Sequence, residues 1–332
     1  MKKISVIIPC RNEAKYIADC LNTVLDNDYP KELTEIFVVD GKSTDNTKKI
    51  AEEFSAKFAK INVLINQDKI VPLAMNLGIK ASSGDLIIRV DAHSEIPRNY
   101  FSELVKASER FDADNIGTCC LTDVKNKNPK SNAIKKVLSN RFGVGDSLFR
   151  IGINKSQEVD TVPFGCYKKE VFGKVGLFNK HLKRNQDIEL NKRIAKAGGK
   201  VILISEVTST YFARETFIEL AKNNFGNGVW NILTVYITKK ISSLSLRHFI
   251  PIIFLLSLIL PLIGMVFNPI VGIVSLLSLI SYLYLITFIS YKLKDKTTSL
   301  VYIFISFIVL HFSYALGSFV GLLRLDYLFK RT

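Results

Sequence analysis

Two acids in this chain sit where chemistry is done on an α/β sheet. The run Leu86-Ile-Ile-Arg-Val-Asp-Ala-His93 is an apolar strand that ends on Asp91, with His93 two residues further on. A carboxylate and an imidazole at that spacing can face one divalent cation. An earlier run, Ile36-Phe-Val-Val-Asp40, also closes on an acid. Strands that each deliver an aspartate at the C-terminal edge point to a nucleotide-and-metal site, because ligands of open α/β sheets bind outside those edges.

Positioning these acids requires the strands to lie side by side. Ser5–Ile8, stopped by Pro9, reads as a buried strand, as do Ile36–Val39, Ile61–Ile65 and Leu86–Val90. Between them lie helical patterns: residues 13–26, a helix capped by Ser43-Thr44-Asp45 that runs through Ile50 and Phe54, and Pro72–Ala81. Strands alternating with helices imply βαβ units and a mainly parallel sheet. Residues 123–158 are polar and irregular and read as a mobile loop. Val159–Val162 and Val201–Ile204 read as further strands, with a helix over Asp187–Ala197 between them that ends at Gly198-Gly199.

Composition narrows the classes. The chain has 332 residues and a formal net charge of +15. Its lysines and arginines are dispersed, with no basic recognition helix, so the charge fits an anionic membrane surface rather than nucleic acid. Five cysteines with no C-x-x-C pair argue against a disulfide framework or a zinc site. The N-terminal apolar run is too short for a signal-peptide core. No Gly-x-Gly-x-x-Gly follows the first strand, which counts against a dinucleotide enzyme, and no Walker A sequence occurs to support ATP hydrolysis.

The last third is of a different kind. Residues 249–267, 269–289 and 298–323 carry no charge, and each is long enough to span about 30 Å of hydrocarbon. Lys239, Lys240 and Arg247 precede the first segment, and Lys292, Lys294 and Lys296 separate the last two. The positive-inside rule puts both groups in the cytosol. Three full spans would then leave the tail Arg324–Arg331 outside, against the same rule. Residues 216–248 are a connector, read either as an interfacial amphipathic helix with Trp230 at headgroup depth or as ordinary packing against the preceding domain.

Four motifs occur in order: Ile7-Ile-Pro-Cys-Arg-Asn-Glu13, Val39-Asp-Gly-Lys-Ser-Thr-Asp45, Arg89-Val-Asp-Ala-His93 and Arg184-Asn-Gln-Asp-Ile-Glu-Leu190. This set resembles family 2 inverting glycosyltransferases of the GT-A fold, in the flavour of membrane-bound succinoglycan-type exopolysaccharide enzymes. The resemblance covers residues 4–190. It implies a Rossmann-like GT-A catalytic domain with a mainly parallel central sheet over residues 1–215, followed by the connector and the transmembrane helices.

The resemblance also implies roles. Asp40 would bind the base or ribose of a sugar-nucleotide donor, since a carboxylate only accepts; Pro9 and Glu13 would frame the same pocket. A helix cap is the plain alternative for Asp40, and capping is equally open for Asp45. Asp91 and His93 would hold a divalent cation, Mn2+ or Mg2+, that offsets charge on the leaving diphosphate. Imidazole favours Mn2+. Asp187 would be the general base that takes the acceptor hydroxyl proton, kept ionised by the helix it opens. Glu189 is at most a support. Asn76 and Asp85 would line the donor pocket, and Arg89 would meet either a phosphate or a carboxylate. Phe164, Gly165 and Cys166 would form the loop where the acceptor docks.

One departure matters. Processive family 2 synthases carry Gln-x-x-Arg-Trp, whereas this chain has Gly226-Asn-Gly-Val-Trp230. Transfer of a single sugar from a nucleotide-sugar donor, UDP-linked, to a lipid-linked saccharide acceptor in surface polysaccharide synthesis is therefore the expectation. The protein would be a multi-pass protein of the cell membrane with its catalytic domain in the cytosol and no nucleic-acid partner; self-association is open. A polyprenyl-phosphate glycosyltransferase is one alternative and a catalytically inactive membrane scaffold is another.

Overall fold

The computed structural model describes residues 1–328. Phe329 to Thr332, with Lys330 and Arg331 of the basic tail, lie outside the described residues. From the N-terminus the elements are β1 (Ile4–Cys10), α1 (Ile17–Leu25), β2 (Thr34–Asp40), α2 (Thr47–Lys57), β3 (Ile61–Ile65), α3 (Val71–Ala81) and β4 (Leu86–Arg89). Then follow β5 (Ser94–Glu95), α4 (Tyr100–Phe111), β6 (Asn115–Asp123), α5 (Pro129–Leu138), α6 (Arg141–Val144), α7 (Leu148–Ile151), β7 (Gln157–Glu158) and β8 (Cys166–Lys168). The chain continues through α8 (Val171–Val175), α9 (Gln186–Lys196), β9 (Val201–Phe212), α10 (Phe217–Thr238), α11 (Ile250–Gly264), α12 (Gly272–Leu293) and α13 (Leu300–Leu323).

These elements form two units. One comprises Met1–Leu121 and Leu148–Phe212; the other comprises Thr122–Ser147 and Ala213–Thr332.

The first unit is built on one sheet of order β3-β2-β1-β4-β8-β6-β9-β5, with β7 also paired to β9 near that strand's start. The first four strands are parallel, in a register that sets Cys10 opposite Asp40 and Ile7 opposite Arg89. That register brings the ends of β1, β2 and β4 to one edge. All seven residues of β1 are buried, as expected of a central strand covered on both faces. Its side chains alternate: Ile4, Val6 and Ile8 enter one core with Ile17, Leu21 and Leu104, while Ile7 enters the other with Met75, Ile87 and Leu190.

The sheet corrects the expectation of a mainly parallel one. The pairings β4–β8, β6–β8, β5–β9 and β7–β9 are antiparallel, so the sheet is mixed. Val159–Val162 is not a strand; it is an extended segment between β7 and β8, tied by the Val159 N–H to the Val201 carbonyl at 2.9 Å. The stretch 123–158 is not a loop either, since it holds α5, α6 and α7. The Asn128 side chain caps α5 by accepting from the N–H groups of Lys130 and Ser131, and Ser131 returns the bond to the Asn128 N–H.

The second unit packs α5 and α10 against α13. Ala133, Ile134 and Val137 of α5 share a core with Leu220, Ile303, Phe307 and Leu310. Helix α10 meets α13 at backbone distance. A Cβ on Gly228 would lie 2.0 Å from the Tyr314 carbonyl oxygen, and one on Gly317 would lie 2.1 Å from that of Phe225. Only glycine permits this approach, which is the small-residue crossing common between apolar helices. Residues 217–238 are thus a helix packed on α13.

Two helical stretches, Pro269–Leu293 and Leu300–Leu323, are long and apolar enough to cross a membrane. The expected third span is shorter: α11 has 15 residues, about 22 Å at the usual helical rise. The α12–α13 turn, which carries Lys294 and Lys296, is held by α5. Lys136 pairs with Asp295 at 2.6 Å, and Thr298 donates to the Pro129 carbonyl at 2.6 Å. The turn residues 294–297 are exposed.

Candidate active site

The site lies on the edge where β1, β2 and β4 end. Asp40 closes β2 fully buried, and its carboxylate accepts from the Ser43 N–H at 3.0 Å and from the Ser43 hydroxyl. It fixes the turn into α2, yet each carboxylate oxygen keeps a second lone pair. Asp45 is spent locally: it accepts from the Thr47 N–H at 3.0 Å and the Ala14 N–H at 3.2 Å. Pro9 is buried in β1, opposite Val39.

Arg89 is the centre of the arrangement. It ends β4 with its side chain 7% exposed. Its Nε donates to Asp91 Oδ1 at 2.7 Å and one terminal nitrogen to Asp91 Oδ2 at 3.2 Å. The other terminal nitrogen donates to Asp187 Oδ1 at 2.6 Å. A single guanidinium therefore ties the acid after β4 to the acid in the first turn of α9. Of the two partners left open for Arg89, it takes the carboxylates.

Asp187 is held at the start of α9, whose N-cap Asn185 adopts a left-handed conformation. Burial pushes its carboxyl above the usual range; Arg89 opposes that and Asp91 adds to it. The side chain remains 26% exposed, so solvent or substrate reaches it. Glu189, on the same turn, pairs instead with Arg193 at 2.8 Å.

His93 does not bond to Asp91. Its Nδ1 lies 3.1 Å from Glu13 Oε1, and the Tyr211 ring meets it edge-on at 5.0 Å. Sequence motifs gave no sign of Tyr211, or of Arg150, whose guanidinium lies 5.1 Å from the Tyr211 ring. The register that pairs Ser94 with Tyr211 brings that end of β9 beside the turn.

Other expected residues lie elsewhere. Asp85 precedes β4 and accepts from the Lys3 N–H at 2.8 Å, which puts it at the opposite edge of the sheet from Asp91. Both amide groups of Asn76 are engaged by the Phe178 backbone, at 2.8 and 3.0 Å. Phe164 and Cys166 are buried, and burial pushes the Cys166 thiol up to about 12. The Gly165 carbonyl accepts from the Arg89 N–H at 3.0 Å. This loop is the support behind Arg89 and not an open docking surface.

The donor set suits a cation that arrives with a diphosphate. Such an ion takes most ligands from phosphate oxygens and water, and needs only one or two protein groups. Asp91 and His93, 16% and 18% exposed, are the groups here that could supply them. Among the described residues no three His, Cys, Asp or Glu side chains cluster.

A mixed α/β sheet with acids gathered at the ends of its parallel strands defines a GT-A-like protein. It superposes on the Pyrobaculum calidifontis mannosyltransferase PcManGT, solved with GDP-Man and Mn2+, with a TM-score of 0.63 over 97% of this chain and 87% of that one at 15% identity. The chain belongs to glycosyl transferase family 2, whose profile matches residues 5–176, and is therefore a glycosyltransferase. It is 29% identical over 234 residues, 69% of its length and 72% of the relative's, to a Methanococcus voltae dolichyl N-acetyl-α-D-glucosaminyl phosphate 3-β-D-2,3-diacetamido-2,3-dideoxy-β-D-glucuronosyltransferase. It is 26% identical to the succinoglycan biosynthesis protein ExoA of Rhizobium meliloti, over 67% of each chain.

Proposed function

We propose that this protein transfers one sugar, with inversion, from a UDP-sugar to a lipid-linked saccharide acceptor at the cytosolic face of the cell membrane. The observation that carries the reading is the bridge Asp91–Arg89–Asp187, which holds a donor-side carboxylate and an acceptor-side carboxylate within the reach of one guanidinium. The relatives from Methanococcus voltae and Rhizobium meliloti, named for a dolichyl-linked saccharide and for succinoglycan, support the acceptor class. The apolar surfaces of α12 and α13 support a membrane anchor.

In this reading Asp40, at the end of β2, receives the nucleoside. Asp91 and His93 would hold the divalent cation, Mn2+ or Mg2+, which when bound would offset charge building on the departing diphosphate. Asp187 takes the proton of the acceptor hydroxyl as that oxygen bonds to the anomeric carbon. The bond from that carbon to the diphosphate breaks on the opposite face, so the configuration inverts. Partial burial leaves Asp187 a stronger base than an ordinary aspartate.

The test is turnover by purified full-length protein in detergent. A panel of nucleotide sugars is supplied with Mn2+ and a polyprenyl-diphosphate-linked saccharide, and nucleotide release is followed. One preferred donor is expected, and no turnover with any donor overturns the reading. Full activity in Asp187→Asn would instead favour a polyprenyl phosphate as acceptor, because its oxygen is already deprotonated.

A further inference from the structure

Arg89 occupies both oxygens of Asp91 and one oxygen of Asp187 at the same time. Its position is fixed on three sides. Its N–H bonds to the Gly165 carbonyl at 3.0 Å, its strand pairs with β1 at Ile7, and the side chain is almost wholly enclosed. A cation at Asp91 would share an oxygen that the guanidinium now holds, and two positive groups at one carboxylate repel.

We propose that Arg89 is a positioning residue that makes the two carboxylates respond to one another. With a cation–diphosphate complex held at Asp91, the guanidinium would leave that carboxylate and pair with Asp187 alone. Asp187 then has the guanidinium to itself only once a donor is bound. This rests on the assignment of Asp91 to the cation and Asp187 to the acceptor proton.

Lysine at position 89 separates this role from simple support. It keeps the positive charge, but a single ammonium cannot span both carboxylates as the planar fork does. Mn2+ binding to full-length protein in detergent is read in the presence of UDP from the loss of the free-ion electron paramagnetic resonance signal. Arg89→Lys is expected to bind Mn2+ several-fold more tightly than the parent while its transfer kcat falls about tenfold or more. Asp187→Asn, which frees Arg89 to serve Asp91 alone, is expected to bind Mn2+ several-fold more weakly.

The single variant Arg89→Met and the double variant Arg89→Met/Asp187→Asn complete the cycle with the parent and Asp187→Asn. If removing the Asp187 charge weakens Mn2+ binding as much without the arginine as with it, the coupling does not run through Arg89 and the proposal falls. It falls also if Arg89→Lys loses Mn2+ affinity and kcat together, the pattern of a damaged fold, or if its affinity is unchanged. If the parent protein shows neither Mn2+–UDP binding nor donor turnover, the functional reading fails and the proposal with it. Turnover with unmoved affinities sinks the proposal alone.

Discussion

His93 Nδ1 lies 3.1 Å from Glu13 Oε1, so the turn after β4 is joined to the segment after β1 by one imidazole–carboxylate contact. A carboxylate at Nδ1 fixes the tautomer and leaves Nε2 as the nitrogen for a cation.

Glu13→Gln is therefore expected to raise the Mn2+ concentration for half-maximal activity by about 10-fold or more, with kcat at saturating Mn2+ changed far less. A Mn2+ titration of initial rates checks this. An equal loss at saturating metal would show that Glu13 acts on something other than His93.

Asp187→Asn is expected to lower kcat by about 10²–10⁴ and to leave UDP binding in place. The pH profile gives a second reading. Burial raises the Asp187 pKa, and the base works only when ionised. Activity is thus lost as pH falls through a value above the ordinary aspartate pKa of about 4. Removing the opposing guanidinium in Arg89→Met moves that limb to still higher pH. A limb at or below the ordinary value would contradict the assignment.

Glu206 governs acid stability in the first unit. Burial raises its pKa, but the bonds from Ser156 and Arg110 outweigh that and hold the carboxylate at about 2, below its usual 4.5. A depressed folded-state pKa adds stability that is present above the unfolded value and lost as pH falls toward the folded one. Unfolding midpoints measured between about pH 5 and 2 should therefore fall less steeply in Glu206→Gln than in the parent.

Gly317→Leu is expected to destabilise the second unit by about 1–3 kcal/mol or more, because its first carbon already meets the Phe225 carbonyl. Gly173→Ala is the control, since nothing lies within 4 Å of a Cβ there. Thermal unfolding of both variants in detergent should separate them by several degrees.

The parallel half of the sheet was legible in the sequence because β1, β2, β3 and β4 are unbroken apolar runs bounded by Pro9, Asp40 and the Ser82-Ser83-Gly84 turn. Strand β6 was passed over: Asn115–Asp123 mixes Gly, Thr and Cys and has no turn signal to frame it. Helix α5 was hidden by its own start, since Asn128-Pro129 reads as a loop yet is a cap followed by proline at the first helical position. Motif spacing singled out Asp40, Arg89, Asp91, His93 and Asp187, but not their partners. The bonds Glu13–His93 and Arg89–Asp187 join residues 80 and 98 positions apart, and only the folded sheet brings those together. Asp85 and Cys166 were misplaced for the complementary reason: adjacency in a motif does not say which end or which face of a strand a side chain occupies.

The passage of the chain out through Thr122–Ser147 and back at Leu148 has a practical result. A cut at one point near residue 215 does not separate the two units. Such a cut would strip α5 of α10 and α13 and leave Ala133, Ile134 and Val137 facing water. Preparing the first unit alone means removing both Thr122–Ser147 and the chain from Ala213 on.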